Sequence, residues 1–216
     1  MEAFKIHRGA VAPLDRANID TDQIIAKQFL KSILRTGFGP QLFYDWAHNP
    51  DGSVNPSFSL NDPRYKDASI LIAGNNFGCG SSREHAVWAI AQHGFKVVIA
   101  PTNRMGADLI PAFADIFKNN CGKNGIVTVE IGMEDYRQLM AEIGKSGSRA
   151  LEMTVDLAAQ TITLHAPSGD IRKKFEYDQA VKDRLLNGLD DIGITLKYES
   201  DLKAFEARHD AQIPRG

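Results

Sequence analysis

Two apolar runs frame the chain. "ASILIAGNN" and "FKVVIAP" are continuous rather than alternating and are bounded by turn residues, the pattern of strands buried on both faces. Between them, "SSREHAVWAIAQHG" carries Ala86, Trp88, Ala89 and Ile90 and ends on Gly94, which reads as a helix with a glycine C-cap. The three segments predict a β-loop-α-β unit: two parallel strands, with the connecting loop at the carboxyl end of the first. Upstream, a short strand is expected near Val11, followed by the loop "NIDTDQII" and a helical or irregular stretch "AKQFLKSIL". Residues 47–67 are rich in Asn, Asp, Ser and Pro and read as a long surface loop, of a length that tends to serve function or to cover something.

Downstream, "GIVTVEI" reads as a strand, and "MEDYRQLMAEIGKSG" spaces Met133, Tyr136, Leu139, Met140 and Ile143 near a helical period. "ALEMTVDLAAQTITLHAPSGDIRKKFEY" alternates and turns, predicting two or three strands. "DQAVKDRLLNGLDDIGITL" is expected to be a helix broken near Asn187 and Gly188, and a last helix to be capped by Ser200 and Asp201. The expectation is an α/β fold in a single domain over 1–216, with a C-terminal helical extension over about 178–216.

Composition narrows the functions without choosing one. Apolar residues at 43% and charged residues at 24% are ordinary for a globular protein. A net charge of -2 offers no excess of Lys and Arg for nucleic acid. No apolar run approaches the length needed to span a bilayer, and the first residues lack a secretory pattern, so a cytoplasmic location is expected. The two cysteines, Cys79 and Cys121, stand far apart with no zinc spacing, and a cubane iron-sulfur cluster needs at least three cysteines in most enzymes. No metal site is therefore expected in this chain.

The chemistry gathers in "GCGSSREH", residues 78–85. Ser81 and Glu84 fit the S-x-x-E capping box, which would make the stretch only a helix start. Arg83 occupies the third position of a would-be G-x-G-x-x-G, and neither a phosphate loop nor a G-x-S-x-G elbow is present, so nucleotide and ester chemistry lack support. A Ser81/His85 nucleophile and base remains open, with no third group to orient it. An anion site also remains open: amides at a helix N-terminus, two hydroxyls, and an arginine fork suited to a carboxylate. In "NIDTDQII", Asn18, Asp20 and Asp22 suggest a calcium loop, but Gln23 and Phe29 stand where glycine and glutamate belong, leaving an Asx-rich turn.

Taken together, "NIDTDQII", "ILIAGNNFGCGSSREHAVWAI", "GFKVVIAP", "FADIFKNNCGKNGI" and "LLNGLDDIGITL" resemble the small subunits of 3-isopropylmalate dehydratase, in the aconitase superfamily. The resemblance implies an aconitase-type swivelling β/β/α domain, a hydro-lyase subunit of leucine biosynthesis, and a large-subunit partner bearing a [4Fe-4S] cluster. The reaction it implies converts 2-isopropylmalate to 3-isopropylmalate through 2-isopropylmaleate. By motif, Ser81 would take the carbon-bound proton, Ser82 and Arg83 would bind substrate, and Thr21 and Asp22 would line the same cleft. Leu30, in "AKQFLKSILRTG", would face the isopropyl group, and a small dicarboxylic acid would be the ligand. Sister hydro-lyases acting on homoaconitate or citraconate, and a non-catalytic anion-binding module, are the alternatives. One departure stands out: residues 102–111, "TNRMGADLIP", are an insertion, and Ala112 replaces the family's serine, with Thr102 the candidate to supply the missing hydroxyl.

Overall fold

The structure, a computed structural model, describes residues 1–31, 34–81, 83–196 and 198–210. In chain order its main elements are β1 (Ile6–Leu14), α1 (Thr21–Ile24), α2 (Tyr44–Ala47), β2 (Ile70–Ala73), α3 (Glu84–His93), β3 (Val97–Met105), β4 (Asp108–Ile110), α4 (Asp115–Asn124) and β5 (Val127–Gly132). There follow α5 (Met133–Gly144), β6 (Glu152–Asp156), β7 (Thr161–Ala166), β8 (Gly169–Lys174), α6 (Gln179–Leu186), α7 (Asp191–Leu196) and α8 (Glu199–Asp210).

β1 belongs to two sheets. Its first half, from Ile6 to Ala10, pairs antiparallel with β6, which continues antiparallel into β7 and β8. Its second half, from Val11 to Leu14, pairs parallel with β2, and β2, β3 and β5 extend that parallel sheet. Alternation then sorts the side chains. Val11, Ile70, Ile72, Val97 and Ile99 share a core with Met153, Val155, Ile162 and Leu164 of the antiparallel sheet and with Tyr136, Leu139 and Ile143 of α5. Leu71, Ala73, Val98 and Ala100 point the other way, into a core with Ala86, Val87 and Ile90 of α3 and Phe117 and Cys121 of α4. The architecture is β/β/α, and the continuous apolar runs follow from a parallel sheet covered on both sides. Each fully buried Ile or Leu in these runs contributes about 1.5–3 kcal/mol of transfer free energy.

Residues 47–67 do cover something. Phe58 and Tyr65 are buried in the α3-side core. Asn55 Nδ2 donates to Trp46 O at 2.9 Å and Asn61 Nδ2 to Ala47 O at 2.7 Å, so the polar residues that suggested a loop satisfy its backbone.

The segment expected to be an insertion, residues 102–111, forms a β-hairpin with the end of the preceding strand. β3 runs past the sheet, turns at Gly106 with φ 64, and returns as β4, with Asn103, Arg104 and Met105 facing Ile110, Leu109 and Asp108. Met105 is 72% exposed and Leu109 60%. Because neither apolar side chain is buried, Met105→Ser is expected to change unfolding free energy by less than about 0.5 kcal/mol. Urea denaturation reads this directly, and a loss above about 1 kcal/mol would mean that the hairpin braces the fold.

Asp178 caps α6, and the break falls at Asn187 and Gly188. Gly188 has φ 64, and a Cβ there would lie 2.7 Å from the carbonyl oxygen of Met1, so the N-terminal segment leaves room for glycine alone. α8 starts at Glu199, which puts Ser200 and Asp201 inside its first turn; the caps expected at those two residues are not formed.

Candidate active site

Residues 74–81, between β2 and α3, are hydrogen-bonded to the chain on both sides. On one side Gly78 N and Cys79 N donate to Ile19 O at 2.7 and 3.2 Å, and Thr21 N donates to Cys79 O at 2.9 Å. On the other, Phe77 N donates to Ala112 O at 2.9 Å, and Ala114 N donates to Phe77 O at 3.1 Å. The segments that lead into α1 and α4 thus flank the loop backbone like short strands. Gly78 has φ +74, and a Cβ would come within 2.2 Å of Phe117 Cγ, so its lack of a side chain lets α4 sit against the loop.

These pairings displace the helix start. α3 begins at Glu84 with Arg83 as its N-cap, in extended backbone and without a side-chain cap bond. The capping box expected between Ser81 and Glu84 is therefore not formed; Glu84 Oε1 instead accepts from Asn124 Nδ2 at 3.2 Å. A capping box does exist in the first motif. Asp20 caps α1 by accepting from Asp22 N, while its own amide donates to Gln23 Oε1 at 2.9 Å, so "NIDTDQII" is a short capped helix rather than a plain Asx turn.

A cavity of about 260 Å³ lies among these segments, lined by Thr21, Gly78, Gly80, Ser81 and Arg83 and by Ala114, Asp115, Ile116, Phe117 and Asn120 of α4. Arg83 and Ala114 are the N-caps of α3 and α4, and neither helix start is closed by a cap side chain. Two helix starts with open amides, and the positive ends of two helix dipoles, thus meet at one cavity with a guanidinium. Ser81 is exposed to it. Thr21 is buried, and its hydroxyl donates to Ser81 O at 2.9 Å, fixing the serine backbone.

Arg83 Nη2 lies 2.9 Å from Asp22 Oδ1, and Lys27 Nζ lies 3.2 Å from Asp22 Oδ2. Asp22 therefore joins the site through Arg83 and is not one of the cavity's lining residues. The pair is an ion contact of poor hydrogen-bond alignment: Asp22 Oδ1 and Arg83 Nε are both buried without an aligned partner. An unsatisfied buried guanidinium N–H is costly and marks a place for an acceptor.

Of the residues expected from sequence, the structure brings Ser81, Arg83 and Thr21 to the cavity and Asp22 to its edge; Ser82 lies outside the described residues. Leu30 is half-buried against the α3-side core and does not line the cavity. Arg35 packs with its guanidinium 5.6 Å from the Trp88 ring centre. Thr102 is not placed to supply the hydroxyl expected at Ala112: it donates to Ile131 O at 3.4 Å and lines a different cavity, and Ala112 is itself fully buried. Asp115 and Asn120 line the cavity without having been expected from sequence, although both belong to the motif "FADIFKNN".

A larger open groove of about 750 Å³ runs along β5, lined by Thr102, Lys118, Glu130 and Tyr177 among others. Its Lys118 is already ion-paired with Glu130, burial pushes the Tyr177 phenol up to about 12, and Glu176 and Asp178 add carboxylates beside Lys174, so its lining is mixed in charge. The smaller cavity is the better site for anion chemistry.

The cysteines do not form a cluster ligand set. Cys121 is fully buried, and burial holds its thiol well above the usual range; Cys79 is shifted up by burial and by the nearby Asp20 carboxylate. Among the described residues no three His, Cys, Asp or Glu side chains are placed to hold a metal ion, and no helix is long and apolar enough to cross a membrane.

Comparison with known proteins identifies the family. The aconitase C-terminal domain model matches residues 1–134, and the model for the C-terminal domain of the 3-isopropylmalate dehydratase small subunit matches residues 191–215. Proteins named 3-isopropylmalate dehydratase small subunit are similar over almost their whole length. That of Halalkalibacterium halodurans is 53% identical over 207 residues, covering 96% of this chain and 98% of that one. That of Desulforapulum autotrophicum is 48% identical over 208 residues, 96% of each chain. The crystal structure of 3-isopropylmalate dehydratase from Methanocaldococcus jannaschii shares the fold, with a TM-score of 0.58 at 23% identity, covering 94% of this chain and 99% of that one. With near-complete coverage and close to half of all positions identical, the chain belongs to the family of 3-isopropylmalate dehydratase small subunits, in the aconitase superfamily.

Proposed function

We propose that this chain supplies the proton-transfer and carboxylate-binding half of a dehydratase active site, the other half being provided by a large subunit. The observation that carries the proposal is the meeting of two open helix N-termini, Arg83 and the exposed Ser81 at one cavity. In this reading Ser81 Oγ takes the carbon-bound proton of 2-isopropylmalate and returns a proton when 2-isopropylmaleate is rehydrated to 3-isopropylmalate. A serine alkoxide needs positive charge around it, and the guanidinium with the two helix dipoles provides it. The same charges attract a substrate carboxylate to Arg83, in the fork geometry that arginine favours. Ser82 is proposed as a further substrate contact. A [4Fe-4S] cluster on the large subunit would supply a Lewis acid for the leaving hydroxyl; this chain lacks the thiolates to hold it.

The test is co-purification with the large subunit followed by an assay on 2-isopropylmalate. The complex is expected to turn over, and the isolated chain is not. Activity from the isolated chain overturns the proposal, as does a complex that prefers homoaconitate or citraconate.

A further inference from the structure

A carboxylate beside a site for a dianionic substrate is a liability. Asp22 brings one, and its charge falls on Arg83, the group proposed to receive the substrate. Alone, an Asp22–Arg83 pair is neutral and a poor attractor of anions. The third member changes the sum: Lys27 Nζ lies 3.2 Å from Asp22 Oδ2 while Arg83 Nη2 lies 2.9 Å from Oδ1, so the two oxygens of one carboxylate are shared between two cations. By formal charge, one carboxylate between two cations sums to +1 rather than zero.

The geometry also gives each member a different exposure. The Lys27 side chain is 73% exposed, Asp22 29% and Arg83 23%, so the triad runs from solvent into the cavity. Asp22 is fixed from behind, because its amide donates to the Asp20 side chain in the capping box of α1. Arg83 is thereby tethered at one Nη while its buried Nε stays without a partner. Packing does not account for Lys27, which stands with its side chain largely in solvent on a short 3-10 turn that contains no buried residue.

We propose that Lys27 is a positioning residue for substrate binding, acting through Asp22. It neutralises the carboxylate that orients Arg83, so that the guanidinium keeps its charge for a carboxylate of the substrate. This inference rests on the site proposed above and deepens it. It separates two jobs within the motif: Asp22 aims Arg83, and Lys27 cancels the electrostatic cost of having Asp22 there.

The experiment uses the assembled two-subunit enzyme carrying Lys27→Met or Lys27→Arg, with 2-isopropylmalate as substrate. Lys27→Met is expected to raise KM by about three- to tenfold, the effect of removing one charge several ångströms from the substrate in a partly solvated site, with kcat within about twofold. Lys27→Arg restores KM, because an arginine reaches the same oxygen. The ratio of variant to wild-type KM shrinks as ionic strength rises, since exposed charges are screened. A merely structural role would instead lower the melting temperature of both variants and leave the salt dependence unchanged. An unchanged KM in Lys27→Met at low salt overturns the inference. Failure of the underlying site is read separately: if the wild-type complex does not turn over, or if Ser81→Ala in the same complex is fully active, the proposed site itself is wrong.

Discussion

Replacing Ser81 with alanine is expected to lower kcat of the two-subunit enzyme by about a hundred- to ten-thousandfold, the range associated with loss of a positioned acid-base group. The unfolding free energy should move by less than about 0.5 kcal/mol. Both halves follow from where the serine sits. Ser81 is exposed, lines the cavity and does not cap α3, whose N-cap is Arg83. The group that Thr21 holds is the Ser81 carbonyl, which alanine retains. Steady-state kinetics and urea denaturation on the same preparation check the pair of outcomes. A variant that is destabilised by about 1 kcal/mol yet turns over normally would return Ser81 to the role of a helix cap.

Gly78→Ala should be the most damaging small substitution in the site loop, with a loss of about 2–4 kcal/mol. Two independent costs add. The backbone at φ +74 is in the region that disfavours any side chain, and the new Cβ would stand 2.2 Å from Phe117 Cγ and 2.6 Å from Phe117 Cβ. Since the shortest contact is with Cγ, which alanine lacks, the pair Gly78→Ala and Phe117→Ala should cost about 1 kcal/mol less than the sum of the single substitutions. Strict additivity in thermal or urea unfolding would show that the backbone conformation, and not α4, is what demands glycine.

Most of the architecture can be read directly from the pattern of apolar residues. The runs at 70–73 and 97–100 are continuous because helices cover one face of the parallel sheet and the antiparallel sheet covers the other. The helix of Tyr136, Leu139 and Ile143 is equally plain, because its buried positions recur at helical spacing. The start of α3 is not. S-x-x-E is a local signal, and it loses to longer-range hydrogen bonds that hold the preceding backbone between residues 19–21 and 111–114. The capping box that does form, Asp20 with Gln23, is hidden in a run of Asn and Asp that fits a turn equally well. Ser81, Arg83 and Thr21 can be placed in one site from the motifs, whereas the ion pair between Asp22 and Arg83 cannot. It joins residues far apart in the chain, on elements without a shared period. The contribution of Asp115 and Asn120 depends on how α4 is aimed, which no spacing within "FADIFKNN" encodes.

One strand bears on how such a domain moves. β1 is hydrogen-bonded to β6 through its first half and to β2 through its second, so a single continuous backbone crosses from one sheet to the other. Neither sheet can tilt without dragging its neighbour, and the loops of the cavity extend from the second. Hinging between the two sheets would have to bend β1, so the domain is expected to move largely as one body, with the six degrees of freedom of a solid object. Whatever opening and closing the assembled enzyme performs would then be docking kinematics, set at the boundary with the partner and independent of any flexing inside this chain.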